Sequence, residues 1–352
     1  MKKEIPELDA VVGIGSNGKI CDIIREILLD KQAVCSYGAK TELSMEGGRI
    51  ISTEPFYAYI KIAEGCSNNC TYCAIPSIRG KYRSRRMEDI VKEARWLAEN
   101  GVTELVVVAQ DTTRYGEDIY GKSMLPELLT ALCEIDGFKW IRTLYCYPER
   151  ITDELLDVIA KEDKLVKYLD MPIQHCDKTI LKRMNRHGDR ETLTALIKKI
   201  REKIPNVTLR TTLITGFPGE TKEQFEELCE FVKEIRFERL GCFAYSPEEG
   251  TPAEKFEDQV PLKDRERRAE IIMEEQMIIS DSLNEAALDS EVEVVCEGFD
   301  RYAECYYGRS QADAPEIDGK IFFLSEDKVR VGEYVKVKID DTMDYDLIGS
   351  KM

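Results

Sequence analysis

Three cysteines crowd into the segment EGCSNNCTYCAIPSIRG, at Cys66, Cys70 and Cys73, with the spacing C-x3-C-x2-C. Thiolates are soft ligands that bind zinc and iron–sulfur clusters. Three of them hold a cubane cluster by three of its irons and leave the fourth iron open to a substrate or cofactor. No fourth cysteine follows at ferredoxin-like spacing, so the open position reads as intended. A structural zinc site is the main alternative, and it usually wants four ligands in paired cysteine or cysteine–histidine spacing. The only two histidines, His175 and His187, are far away in sequence. Twelve cysteines are many for a reducing compartment, where disulfides seldom persist. The other nine lie mostly inside apolar runs and read as small buried hydrophobes.

Further candidates fall where apolar runs end. Gln110 and Asp111 close ELVVVAQD, a polar pair at a strand end, although Asp111 would also serve as a turn residue. Gln174 and His175 close KYLDMPIQH; His175 would suit proton transfer, or simply a structural role. Arg183 and Arg186, in ILKRMNR, would neutralise a carboxylate or face solvent. In TLITGFPGET, Gly216 and Gly219 would let the backbone approach a ligand closely, with Pro218 stiffening the turn. Arg79, Lys81, Arg83, Arg85 and Arg86 form a basic run that suits a nucleic-acid patch or the balancing of cluster charge.

These positions need a scaffold. From Phe56 onward, six strand-like runs (FYAYIKIA, ELVVVAQ, WIRTLYCYP, KYLDMPIQH, VTLRTTLITG and RLGCFAYS) alternate with helical stretches. Such alternation predicts an α/β fold with parallel strands, either a doubly wound open sheet or a barrel short of eight units. Both place active groups at the C-terminal ends of strands. Thr221 and Gln224 are spaced as a capping box for one helix. After a helical stretch over 262–288, short strand-like runs separated by turns predict a small separate β-barrel. The expected domains are 1–50, polar and mostly irregular with one short amphipathic helix; 51–285, the alternating units with their connecting helix; and 286–352, the β-module.

The net charge is −17. From Glu285 to the end there are 17 Asp and Glu against 8 Lys and Arg, a balance of −9. Nucleic-acid binding is driven largely by phosphate neutralisation, so this balance opposes it and favours a basic partner. No apolar run approaches the roughly 18 residues of a membrane span. The first twenty residues lack the apolar core of a signal peptide. A cytoplasmic location is expected.

The cysteine spacing after the first strand, with the aromatic Tyr72 before the last cysteine, resembles the radical S-adenosylmethionine superfamily. The resemblance implies a six-unit partial (β/α) barrel and a 4Fe–4S cluster held by Cys66, Cys70 and Cys73. The amino and carboxylate groups of S-adenosylmethionine would chelate the open iron, and its cleavage would yield a 5′-deoxyadenosyl radical. Tyr72, Gln110, Asp111, Gln174, Gly216 and Gly219 are the residues expected at the cofactor. EGCSNNCTYCAIPSIRGKYRSR, ITGFPGET and the appended β-module are similar to the methylthiotransferases, whose OB-like C-terminal module, called TRAM, binds substrate. YLDMPIQH, FAYSPEEGTPA and GRSQADAPEIDG resemble the branch that adds a methylthio group to the β-carbon of an aspartate in small-subunit ribosomal protein S12. The other branch modifies an adenosine of tRNA and would want a basic module, which the acidic tail opposes.

The partners so implied are ribosomal protein S12 and an electron donor such as flavodoxin or ferredoxin, with no membrane and no tRNA. The family also carries three N-terminal cysteines for a second 4Fe–4S cluster. The chain opens on KKEIPELDAVVG, similar to the end of that domain, and Cys21 and Cys35 do not match those cysteines. The second cluster is therefore expected to be absent. A truncated iron–sulfur protein that cleaves S-adenosylmethionine without completing transfer stands as a further reading. In the tail, Tyr302, Tyr306 and Tyr307 with Asp313, Glu316 and Asp318 are expected to form an acidic recognition surface beside the open end of the partial barrel.

Overall fold

The computed structural model describes residues 5–30 and 34–352. Residues 1–4 and 31–33, part of the expected N-terminal remnant, lie outside the described residues. Near the N-terminus a parallel strand pair, Ala10–Val12 with Val34–Ser36, brackets the helix Ile20–Asp30. The stretch that follows carries no strand until Tyr57.

Six parallel strands then come in sequence: β1 (Tyr57–Lys61), β2 (Glu104–Val108), β3 (Trp140–Thr143), β4 (Tyr168–Asp170), β5 (Thr208–Thr215) and β6 (Arg239–Ala244). β1, β2 and β3 pair in order, as do β4, β5 and β6. A parallel bridge from Ile141 to Leu165 joins the two halves. The spatial order is thus the chain order throughout. A doubly wound sheet reverses direction at a switch point, so this order decides for the partial barrel. No pairing between β6 and β1 is seen among the described residues, and the barrel stays open there.

Helices α1 (Met87–Glu99), α2 (Leu125–Cys133), α3 (Asp153–Lys161), α4 (Lys178–Arg183), α5 (Arg190–Lys203) and α6 (Lys222–Ile235) cover the outside. Each has an apolar stripe at helical spacing, such as Ile90, Ala94 and Leu97 on α1. These stripes pack on the outward residues of the strands, Ala58, Ile60, Leu105 and Leu209 among them. Side-chain caps fix where several helices start. Thr152 and Asp177 accept from the backbone of Leu155 and Ile180, and Asp189–Thr192 and Thr221–Gln224 form full capping boxes.

The long helix α7 (Leu262–Glu285) runs from the barrel to a closed five-stranded barrel. Its strands are β7 (Glu291–Asp300), β8 (Cys305–Arg309), β9 (Ile321–Leu324), β10 (Tyr334–Met343) and β11 (Asp346–Lys351). Val294, Ile321, Phe323, Val335, Val337 and Ile339 make its small core.

The two barrels meet differently from the sequence expectation. The stretch 309–319 between β8 and β9 reaches inward residues of the large barrel instead of lying exposed beside its open end. Tyr59 Oη donates to the Pro315 carbonyl at 3.3 Å, and Arg142 donates to the Gln311 carbonyl at 2.9 Å. Arg239 pairs with Asp313 at 2.6 Å, and Tyr168 Oη donates to Asp318 at 2.6 Å. Arg309 pairs with Glu104, which Arg142 also holds at 3.0 Å. Asp313 is therefore 3% exposed, and the Asp318 carboxylate is nearly as buried. Only Glu316 of the three acids is exposed, while Tyr302 is fully exposed and Tyr306 and Tyr307 are half-buried. The expected recognition surface is thus corrected: two of its acids are buried against the partly exposed guanidiniums of Arg239 and Arg210, which neutralise them.

Candidate active site

β1 ends at Lys61, and the chain then builds the cysteine loop. Gly65 turns it with φ of +76°; a Cβ there would sit 2.4 Å from the Lys81 carbonyl oxygen. The loop closes on itself where Cys66 N donates to the Gly80 carbonyl at 3.1 Å, and Tyr82 N to Ser67 Oγ at 3.1 Å. It is also gripped from the far side of the barrel by the turn after α4. Thr71 N donates to the Met184 carbonyl at 3.0 Å, and Thr71 Oγ1 to that of Arg183 at 2.8 Å. Asn185 Nδ2 donates to the carbonyls of Asn68 and Asn69 at 3.0 and 3.1 Å.

A cavity of about 600 Å³ opens at the C-terminal ends of β1, β2 and β3. Cys66, Cys70, Cys73, Tyr72 and Gln110 all line it, with Tyr59, Lys61, Tyr147 and, from the second barrel, Ile317. Burial pushes the Cys66 thiol up to about 11 and raises Cys73 as well. Because a ligating cysteine is a thiolate, loading a cluster here releases protons. Tyr147 Oη lies 3.0 Å from Cys70 Sγ. The Arg186 guanidinium, 5% exposed, sits 4.1 Å over the Tyr147 ring and donates to the Pro172 carbonyl at 2.8 Å.

The remaining candidates are placed as follows. Gln110 Oε1 is buried on the cavity wall with no hydrogen-bond donor among the described residues. Asp111 is fully buried and does not line the cavity; it accepts from Asn68 Nδ2 at 2.8 Å and from Thr113 Oγ1 at 2.5 Å, and so braces the cysteine loop. Gln174, at φ of +72°, extends the pairing of β4 with β5 through its backbone, away from the cavity. His175 is fully buried. Its Nδ1 accepts from Asp177 N at 2.9 Å, which leaves the proton on Nε2, 3.6 Å from Glu220.

Gly216 and Gly219 lie in the turn after β5, also outside the cavity lining. A Cβ on Gly216 would meet Arg265 Cγ at 2.2 Å, and one on Gly219 would meet the Asp258 carboxylate at 2.5 Å. Arg183 is spent on an ion pair with Asp258 at 2.6 Å. The basic run is dispersed: Arg85 is buried between Glu46 and Glu93, Arg83 donates to the carbonyls of Lys40 and Thr41, and Arg79 faces Glu64. The sequence reading missed Lys61, Tyr147, Glu220 and Ile317. Strand alternation along β1, which turns Tyr57, Tyr59 and Lys61 to one face, was the available signal for Lys61. Ile317 carried none, because it comes from the other barrel.

Among the described residues no three His, Cys, Asp or Glu side chains converge tightly enough for one metal ion. A zinc site needs such convergence, whereas the thiolates of a cubane sit on three separate irons around a volume. A model for the radical SAM superfamily matches residues 60–232, and one for the TRAM domain matches 290–351. Across 99% of its length the chain is 48% identical to the ribosomal protein uS12 methylthiotransferase RimO of Clostridium tetani, covering 78% of that protein. It is 50% identical to the RimO of Clostridioides difficile, again over 99% of this chain and 78% of the other. The chain belongs to the RimO family. It is accordingly a radical SAM enzyme of the class that transfers sulfur-containing groups, and RimO membership implies a 4Fe–4S cluster and S-adenosylmethionine. The residues present fit both groups. Three thiols with no histidine in the lining are a donor set for iron–sulfur chemistry, and the orphaned Gln110 Oε1 offers an acceptor to an incoming ammonium.

Proposed function

We propose that this chain adds a methylthio group to the β-carbon of an aspartate in ribosomal protein S12. The observation that carries the reading is the convergence of Cys66, Cys70, Cys73, Tyr72 and Gln110 on one cavity, in a chain similar to RimO over nearly its whole length. The β C–H bond lies next to an anionic carboxylate and is an extremely weak acid, and no side chain lining the cavity has the basicity to remove its proton. When bound, the cluster and S-adenosylmethionine together supply a carbon-centred oxidant able to take the hydrogen atom. Cys66, Cys70 and Cys73 hold the cluster, Gln110 accepts from the cofactor ammonium, and Tyr147 fixes the Cys70 sulfur. Asp111, Gln174, Gly216 and Gly219 act from behind by holding the strand ends and turns around the site.

The acidic β-module suits a basic ribosomal protein and repels a phosphate backbone. A low-potential flavodoxin or ferredoxin is the proposed electron donor, and the cytoplasm the proposed compartment. No helix among the described residues is long and apolar enough to cross a membrane. The test is anaerobic reconstitution followed by incubation with ribosomal protein S12, S-adenosylmethionine and a reductant. The target peptide should gain the mass of one SCH2 unit. Release of 5′-deoxyadenosine without that gain would favour the reading of an iron–sulfur protein that cleaves the cofactor but does not complete transfer.

A further inference from the structure

The wall of the cysteine cavity holds one cation that neither the cluster ligands nor the fold uses up. Strand register stacks the inward residues of β1, β2 and β3 in layers. Tyr57 is level with Glu104 and Trp140, Tyr59 with Val106 and Arg142, and Lys61 with Val108. The guanidinium of Arg142, one layer down, is spent on Glu104 and the Gln311 carbonyl. In the top layer, Lys61 is the one Lys or Arg among the residues lining the cavity, and no Asp or Glu lines it. Its Nζ rests 2.8 Å from Glu64, whose side chain is 1% exposed. Glu64 does not depend on it: Arg79 faces the same carboxylate at 3.5 Å, and Gly65 N donates to it at 3.2 Å. The lysine side chain is 45% exposed and ends a flexible stem. It can leave Glu64 without stranding a buried charge.

We propose that Lys61 receives the side-chain carboxylate of the aspartyl residue to be modified, and so selects an acidic residue over its amide. This rests on the substrate reading above. A carboxylate entering a cavity walled by Tyr59, Val108, Leu144 and Tyr147 sheds its water and needs a cation in exchange. An ammonium is a compact charge that binds without demanding a fixed bidentate geometry. Lys61 lies five positions before Cys66, so one short segment carries both the cluster ligands and the substrate anchor.

The experiment measures binding of two synthetic peptides to the reconstituted protein with S-adenosylmethionine. One spans the target aspartate of ribosomal protein S12, and the other has asparagine in its place. The parent protein should prefer the aspartate peptide. Lys61→Met should weaken the aspartate peptide about tenfold or more, as expected for loss of a charged hydrogen bond, and leave the asparagine peptide unchanged. Lys61→Arg should restore part of the preference. Cofactor affinity, measured separately, should stay the same. Equal weakening of both peptides would overturn the proposal, because a structural role has no reason to distinguish them. Weaker cofactor binding with peptide affinities intact would overturn it too, assigning Lys61 to the cofactor carboxylate. If the parent protein bound neither peptide, the substrate reading itself would fall and carry this proposal with it.

Discussion

Cys70 is the most heavily supported of the three cysteines. Tyr147 Oη reaches its sulfur, and Arg186 lies over the same ring. Hydrogen bonds to a ligating sulfur and nearby positive charge favour the more negative, reduced state of a cluster. Tyr147→Phe should therefore shift the cluster potential to lower values without changing iron content; a potentiometric titration followed by electron paramagnetic resonance measures it. Cys70→Ala should abolish the cluster and 5′-deoxyadenosine formation together, read by iron analysis and chromatography. Asp111→Ala removes the acceptor for Asn68 and Thr113, and should lower iron loading through a looser loop while circular dichroism stays the same. At this scale the sequence was legible where chemistry is local. Three cysteines and Tyr72 share one loop, and Gln110 and Asp111 end one strand. The division of labour between that last pair was not legible, because neighbours on a strand end point to opposite sides, and nothing in VVVAQD says which side is the cavity.

Among the elements, the strand order is what turns six units into a barrel. Alternation of strands and helices predicted parallel pairing but left the doubly wound sheet open, since both folds have the same local pattern. The choice lies in where each helix returns its strand, which depends on long-range packing. The lower layer of the barrel explains why a second domain is needed. Glu104 and Arg142 are both fully buried, and Arg309 of β8 joins them. Removing one member of such a cluster strands the others. Arg309→Met should cost about 3–5 kcal/mol in a chemical denaturation midpoint analysis. Replacing Glu104 by Gln at the same time should deepen that loss, since it leaves the fully buried Arg142 guanidinium without a counter-charge.

For the whole molecule, the −9 balance of the tail was read correctly, but two of its acids were placed on the wrong side. Asp313 and Asp318 looked like solvent-facing acids because a sequence shows the sign of a charge but not its partner. In the fold each meets an arginine of the large barrel, Arg239 and Arg210. Asp313→Lys with Asp318→Lys should thus loosen the two barrels from each other. Limited proteolysis in the connection after α7, near residues 286–290, should accelerate, and the thermal unfolding curve should split into two steps. Unchanged protease resistance would mean that the acids contribute nothing to the junction.

One residue of that junction, Ile317, looks into the cysteine cavity from the small barrel. The small barrel is consequently no interchangeable cassette. A hybrid that grafts a relative's C-terminal barrel onto this chain would import a new floor for the reaction chamber along with a new reader. Its turnover would then change for reasons unrelated to target choice. A hybrid engineered for retargeting should keep residues 309–319 with the large barrel and exchange only the solvent-facing turns, such as the one around Tyr302.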